Sequence, residues 1–227
     1  MKKENRIYWI LTAVLLFAPL SIAKAQIERD IQNIDTSYDR VVKLYPLQIG
    51  EVYLGYEKMR AERISNEFGL SYIYWSFLKG DDWVPERKNA KGLGIRMSQR
   101  KYTAKNEGAP FGFFHGPVFG YRFVAFEQNV FDLPAQDPSE PGYKFIGRLY
   151  QHSLDLGYQL GVQFKLSNHL TADIGGAIGG RVKFALANNA DELLPEHIIG
   201  RSVAAENNSA IFVVPLPQLN LSVGYAF

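Results

Sequence analysis

The chain of 227 residues contains no cysteine. That excludes a disulfide scaffold, a thiolate zinc centre, an iron–sulfur cluster, a cysteine nucleophile and a thioether lipid anchor. Histidine is scarce, with only His115, His152, His169 and His197. They lie on separate segments without HxxxH or HExxH spacing, so no histidine metal centre is expected. No segment after the N-terminal region has an apolar run of helix-spanning length, which takes about 20 residues. Gly175-Gly176-Ala177-Ile178-Gly179-Gly180 lacks the order of a phosphate-binding loop and opens no helix. Asp81-Asp82 and Glu86-Arg87-Lys88 read as a solvated surface.

What is present begins with a leader. Lys2, Lys3 and Arg6 form a basic start, Ile7 to Ala18 is apolar apart from Thr12, and Ala23-Lys24-Ala25 is a small-x-small site before Gln26. This is the layout of a secretory signal peptide over residues 1–25, with cleavage between Ala25 and Gln26. The apolar run is too short for a spanning helix. The leader holds four of the 25 bases and one of the 23 acids, which leaves the exported chain with a net charge of −1. An exported, nearly neutral chain does not fit a nucleic-acid partner. Residues 26–37 are expected to form a short periplasmic segment, with Ile27, Ile31 and Ile34 on one face of a brief helix.

Aromatic residues make up 14% of the chain and glycines number 20. They are set in a period-two pattern, the signature of half-buried strands. In Gln151–Leu166 the even positions are apolar except His152, and the odd positions are polar or glycine. Leu170–Ala185 repeats this after the turn Ser167-Asn168-His169. Similar alternation marks Gly50–Glu57, Glu67–Ser76, Gly92–Arg100, Phe113–Ala125 and Leu219–Phe227, with a weaker eighth strand at Tyr38–Tyr45. Connections alternate too. Phe77–Lys91, Gln128–Gly142 and Leu186–Ser209 are long and polar; Lys58–Ile64, Thr103–Gly112 and Ser167–His169 are shorter. The expected architecture over residues 38–227 is all-β: an eight-stranded, antiparallel, up-and-down transmembrane β-barrel.

Alternation does not say which face meets water. The polar face carries both charge signs at mid-strand (Glu51, Arg96, Arg122, Asp155, Asp173 and Arg181) and many glycines. A narrow interior needs small residues beside long charged ones, whereas a solvated sheet gains nothing from so many glycines. The apolar face mixes aliphatic residues with Tyr and Phe near strand ends, as a lipid-facing band does. Hydrocarbon satisfies no backbone hydrogen bonds, so only helices or closed sheets cross it. The six charged residues are therefore expected to form an interior network. Register across the Ser167–His169 turn sets Asp155 opposite Arg181 and Gln163 opposite Asp173. Glu57, Glu67 and Arg100 should cluster toward the periplasmic end. Eight strands leave room for side chains and little else, so a packed plug is the expected state rather than an ion path.

Tyr56-Glu57-Lys58, Gly112-Phe113-Phe114-His115-Gly116-Pro117, Gly157-Tyr158 and the terminal Leu219–Phe227 run resemble the small outer-membrane β-barrels of unknown function common in Bacteroidetes-type bacteria. The architecture also resembles the OmpA and OmpX barrels. The resemblance covers nearly all of the chain after the leader. It implies a Gram-negative outer-membrane location and no catalytic residues. Tyr225 and Phe227 match the aromatic carboxy-terminus read by the outer-membrane barrel assembly machinery. The expected function is a non-enzymatic integral outer-membrane protein without cofactor or metal. It is anchored in outer-membrane lipid and presents surface loops to an unknown partner. Trp83, Val84, Phe131, Leu133, Ile198 and Ile199 are the loop hydrophobics expected to meet that partner.

Three other readings compete. An outer-membrane lipid-modifying enzyme is suggested by His152-Ser153, but lipid deacylase barrels set the two residues two apart, on one face, whereas adjacent residues point to opposite faces. A secreted barrel holding a small apolar ligand would bury its apolar face inward. A pore would leave the lumen open.

Overall fold

The computed structural model describes residues 38–79, 85–103, 110–127, 148–188, 198–206 and 208–227. The expected leader, the Ala25–Gln26 junction and the periplasmic segment lie outside these residues. So do Asp81, Asp82, Trp83, Val84, Phe131, Leu133 and His197.

Ten strands form one antiparallel sheet: β1 (Arg40–Tyr45), β2 (Glu51–Ala61), β3 (Ile64–Lys79), β4 (Pro85–Tyr102), β5 (Gly112–Phe126), β6 (Arg148–Lys165), β7 (Leu170–Asn188), β8 (Arg201–Glu206), β9 (Ser209–Pro215) and β10 (Gln218–Ala226). Each of β1 to β6 pairs with the next, and β10 pairs with both β7 and β1. These eight strands close a ring. Both ends of the described chain meet at the short-turn end, where Arg40 and Phe227 exchange backbone hydrogen bonds.

The ring departs from simple eight-strand wiring on the opposite, long-loop end. The eighth wall is two collinear pieces: β10 pairs with the lower part of β7 and β9 with its upper part, Leu186 to Gly180. The break at Leu216-Pro217 follows from proline, which lacks the N–H that a ladder needs. β8 folds back on β9 and ends the sheet. Two connections read from sequence as long polar loops therefore contain strand. Phe77–Lys91 extends the β3–β4 hairpin, and Leu186–Ser209 contains the top of β7 and all of β8. Their alternation is weak because β3 carries a bulge between Ile73 and Trp75, which breaks the period of two.

Side chains follow the predicted faces. Leu154, Leu156, Tyr158, Leu160 and Phe164 of β6 point outward and are exposed, as are Ile174, Ile178 and Val182 of β7. Their neighbours Ser153, Asp155, Gln159, Gln163, Thr171 and Asp173 point inward and are buried. Glycine makes the narrow interior possible. A Cβ on Gly161 would lie 2.6 Å from the Phe114 ring and 2.7 Å from the Ile174 carbonyl. At the β1–β2 turn, Gly50 has φ +84°, and its carbonyl accepts from the backbone N–H groups of Tyr74 and Trp75. A positive φ favours glycine there, and the contact ties the turn to β3.

The inside of the ring is layered. Toward the long-loop end it turns apolar: Ile73, Leu78, Ala90, Val124, Phe126, Leu149, Ala185, Ile198, Ala210 and Phe212 pack together with exposures of 5% or less. This corrects the expectation for Ile198. It lies in that core and is unavailable to a partner, while Ile199 is half-buried.

Candidate functional site

The charged residues of the ring interior fall into two groups, and the lower one contains Glu57, Glu67 and Arg100, which were expected to cluster toward that end. The lower group, near the short-turn end, comprises Lys43, Glu57, Glu67, Arg100 and Asp173, each at most 3% exposed. Lys43 Nζ lies 2.5 Å from Glu57, 2.9 Å from Asp173 and 3.4 Å from Glu67, and donates to Gln163 Oε1 at 2.6 Å. Arg100 donates to Glu67 at 2.6 Å and Asp173 at 2.8 Å, and its guanidinium sits 4.1 Å from the centre of the Phe114 ring. Tyr45 donates to Glu67 at 2.5 Å, Tyr102 to Glu57 at 2.6 Å, and Ser65 also donates to Glu57. Buried charges are tolerated only when paired and hydrogen-bonded. Here two cations are shared among three carboxylates, with tyrosines supplying the remaining donors. Asp173, expected among the mid-strand charges, belongs to this lower group.

The upper group comprises Glu51, Arg96, Arg122, Asp155, Arg181 and Lys183. Arg181 donates through Nε and Nη2 to the two Asp155 oxygens, each at 2.6 Å, a fork of the strongest hydrogen-bonded kind. Arg122 stands 3.5 Å from Glu51. Arg96 reaches no carboxylate among the described residues. It donates to Asn220 at 3.3 Å and Gln159 at 3.4 Å, and its Nε is buried without a partner. Lys183, 8% exposed, makes one hydrogen bond among the described residues, to the Ile199 carbonyl at 3.5 Å. Below these residues, Gly94, Gly120, Gly157 and Gly179 line a cavity of about 40 Å³ beside Tyr53 and Arg96, room for about three waters.

Register explains how the upper cations meet. Arg122 of β5 and Lys183 of β7 both stand opposite Ser153 of β6, and Arg181 lies two positions below Lys183 on the same face. With strands spaced about 4.8 Å apart, the outer two backbones are roughly 10 Å apart, and their side chains share the interior.

Beside this group the wall is interrupted. β1 ends at Tyr45 and β2 begins only at Glu51, while β3 continues to Lys79. Above Tyr74 no strand pairs with that side of β3, and β8 ends the sheet across the gap. The gap opens into a recess of about 790 Å³. Leu47, Ile49, Tyr74, Phe77 and Leu219 rim it; Arg122, Arg181 and Lys183 line its inner side.

On the outward surface, His152 and Ser153 point to opposite faces. His152 shares a hydrogen bond of 2.7 Å with the Tyr121 hydroxyl and packs on Phe123, while Ser153 is buried inside. His115 pairs with Tyr158 at 2.5 Å on the outer surface. His169 stacks on Tyr225, and Tyr225 lies beside Phe227, both exposed. No group of metal-ligating side chains gathers among the described residues.

Sequence reading missed Lys43, Tyr45, Tyr102 and Lys183. The signal for Lys43 was the parity of Tyr38–Tyr45: Val41, Lys43 and Tyr45 share one face, and Val42 and Leu44 the other. Tyr45, Tyr53 and Tyr102 escaped notice because an aromatic in an amphipathic strand reads as apolar, whereas here each hydroxyl points inward. No known protein family, curated protein or solved structure matches the chain.

Proposed function

We propose that the ring is a transmembrane β-barrel and that the protein is a non-enzymatic integral protein of a Gram-negative outer membrane. On this reading residues 1–25 are removed after Ala25, and Tyr225 and Phe227 are read by the barrel assembly machinery. The barrel then anchors loops for a partner not yet identified. The observation that carries the reading is inverted polarity. Leu156, Leu160 and Ile174 are 62%, 54% and 49% exposed, while five charged groups are sealed inside the ring at 3% or less. In water, an apolar band of that breadth would drive aggregation. In lipid it is the expected surface, with aromatic residues at its edges.

Dimensions agree. A barrel strand crosses lipid in about 9–11 residues, and β6 and β7 have 18 and 19. Counting from Leu170 brings the far edge of the band to about Gly180. The upper strands then stand above the bilayer, where exposed Arg87 and Asn89 replace the apolar residues of β4 and the apolar core of the interior holds the extension together.

Fractionation of cells expressing the full chain tests this. The protein should remain with outer membranes through alkaline extraction, and unheated samples should migrate faster in gels than boiled ones. Recovery in the soluble fraction would end the reading.

A further inference from the structure

The basic recess is closed in two directions and open in a third. Below it lies the lower ion group, and above it the apolar core around Phe212 and Leu149. The remaining access is lateral, through the gap between the β1–β2 turn, β3 and β9–β10. The rim is strongly exposed apolar surface, with Ile49 at 71% and Leu219 at 69%. Resting on the barrel reading, the register of Leu219 with Gly176 sets this rim in the upper half of the lipid band.

The inner side carries unbalanced charge. Glu51 faces the recess and engages Arg122, and Asp155 is fully committed to Arg181. Lys183 remains, more than nine-tenths buried, and among the described residues its one hydrogen bond is to a carbonyl at 3.5 Å, with no carboxylate in reach. A buried ammonium without a counter-ion is costly, and an incoming anion would relieve that cost. We infer that the recess is a binding site for an anionic membrane lipid. It enters sideways from the outer leaflet, leaves its acyl chains against Ile49 and Leu219, and sets its phosphate among Arg122, Arg181 and Lys183.

The chain offers its own reporter. Of its three tryptophans, Trp75 lines the recess, and a Trp9→Phe/Trp83→Phe background leaves it alone. The full chain is inserted into phosphatidylcholine vesicles containing, as a minor component, either phosphatidylglycerol or phosphatidylcholine with brominated acyl chains. Trp75 quenching by the anionic lipid should exceed that by the zwitterionic one several-fold. Lys183→Gln should cut this preference about fivefold, the effect of one basic charge on an anionic lipid, and Lys183→Arg should retain it. Heat-dependent gel mobility of each variant establishes insertion.

Equal quenching by the two lipids in an inserted protein, or no change in Lys183→Gln, overturns the lipid site and leaves the barrel reading standing. Loss of the preference on adding millimolar inorganic phosphate also overturns it, since the occupant would then be a free anion. A protein that stays in the aqueous phase defeats both readings together.

Discussion

The two ends of the ring interior use the same residue types to opposite effect. Toward the short turns, Lys43 and Arg100 are ringed by Glu57, Glu67 and Asp173 with contacts of 2.5–2.9 Å to each acid. Toward the long loops, among the described residues, Arg96, Arg122, Arg181 and Lys183 outnumber Glu51 and Asp155, and two of the four cations lack a carboxylate. In the lower group every carboxylate and both cations have an ion-pair partner, although Arg100 Nε and Gln163 Nε2 are buried without a hydrogen-bond partner. The upper group is incomplete, borders the opening in the wall and holds an excess of positive charge. Burial alone does not distinguish them, since Lys43 and Lys183 are both nearly inaccessible. What differs, among the described residues, is whether a carboxylate stands beside the cation.

The contrast between these two lysines can be broken by substitution. Lys43→Met leaves three carboxylates facing one arginine and should cost about 3–5 kcal/mol, the usual effect of orphaning a buried charge. Urea titration of the folded, fast-migrating gel species measures it. Ile198→Ala removes side-chain volume from the apolar core above the recess. It should cost about 2–5 kcal/mol and make the long-loop end of the protein more sensitive to protease than the short-turn end.

Leu160→Arg sharpens the comparison from outside, because a cation that the interior accepts should be rejected by the band. The expected cost is about 2–4 kcal/mol in lipid, read from refolding into vesicles; a soluble protein would tolerate it at an exposed site. Lys183→Gln should move stability least, by less than about 1 kcal/mol, since it breaks no ion pair. A large loss there would mean that Lys183 is structural, as Lys43 is.

The period of two carried most of the fold. In β6 and β7 it set every side chain on its observed face, and the Ser167–His169 turn then fixed Asp155 opposite Arg181. The upper wall was not legible for a physical reason. Above the band both faces of the strands meet different neighbours, so Phe77, Leu78 and Ala185 no longer alternate with polar residues, and a bulge in β3 shifts the register. The split of the charges was legible in part: Glu57, Glu67 and Arg100 were expected together, but Asp173 was assigned to the mid-strand set and Lys43 to neither. Arg96 and Arg100 lie four residues apart on one face of β4, yet one serves the recess side and the other the plug. Height along a tilted wall depends on the stagger of all eight strands, which no single segment encodes.

The central claim, an apolar surface turned toward hydrocarbon, can be tested directly because the chain has no cysteine of its own. A nitroxide attached to single cysteines at Leu154, Leu156, Leu160 and Phe164 reports collisions with oxygen, which concentrates in lipid, and with a water-soluble nickel chelate. In native-like membranes, collisions with oxygen should dominate at Leu156, Leu160 and Phe164, be highest at Leu160, and fall off at Leu154, which stands opposite Val182 beyond the band. Dominant collisions with nickel at Leu156 and Leu160 would contradict the account.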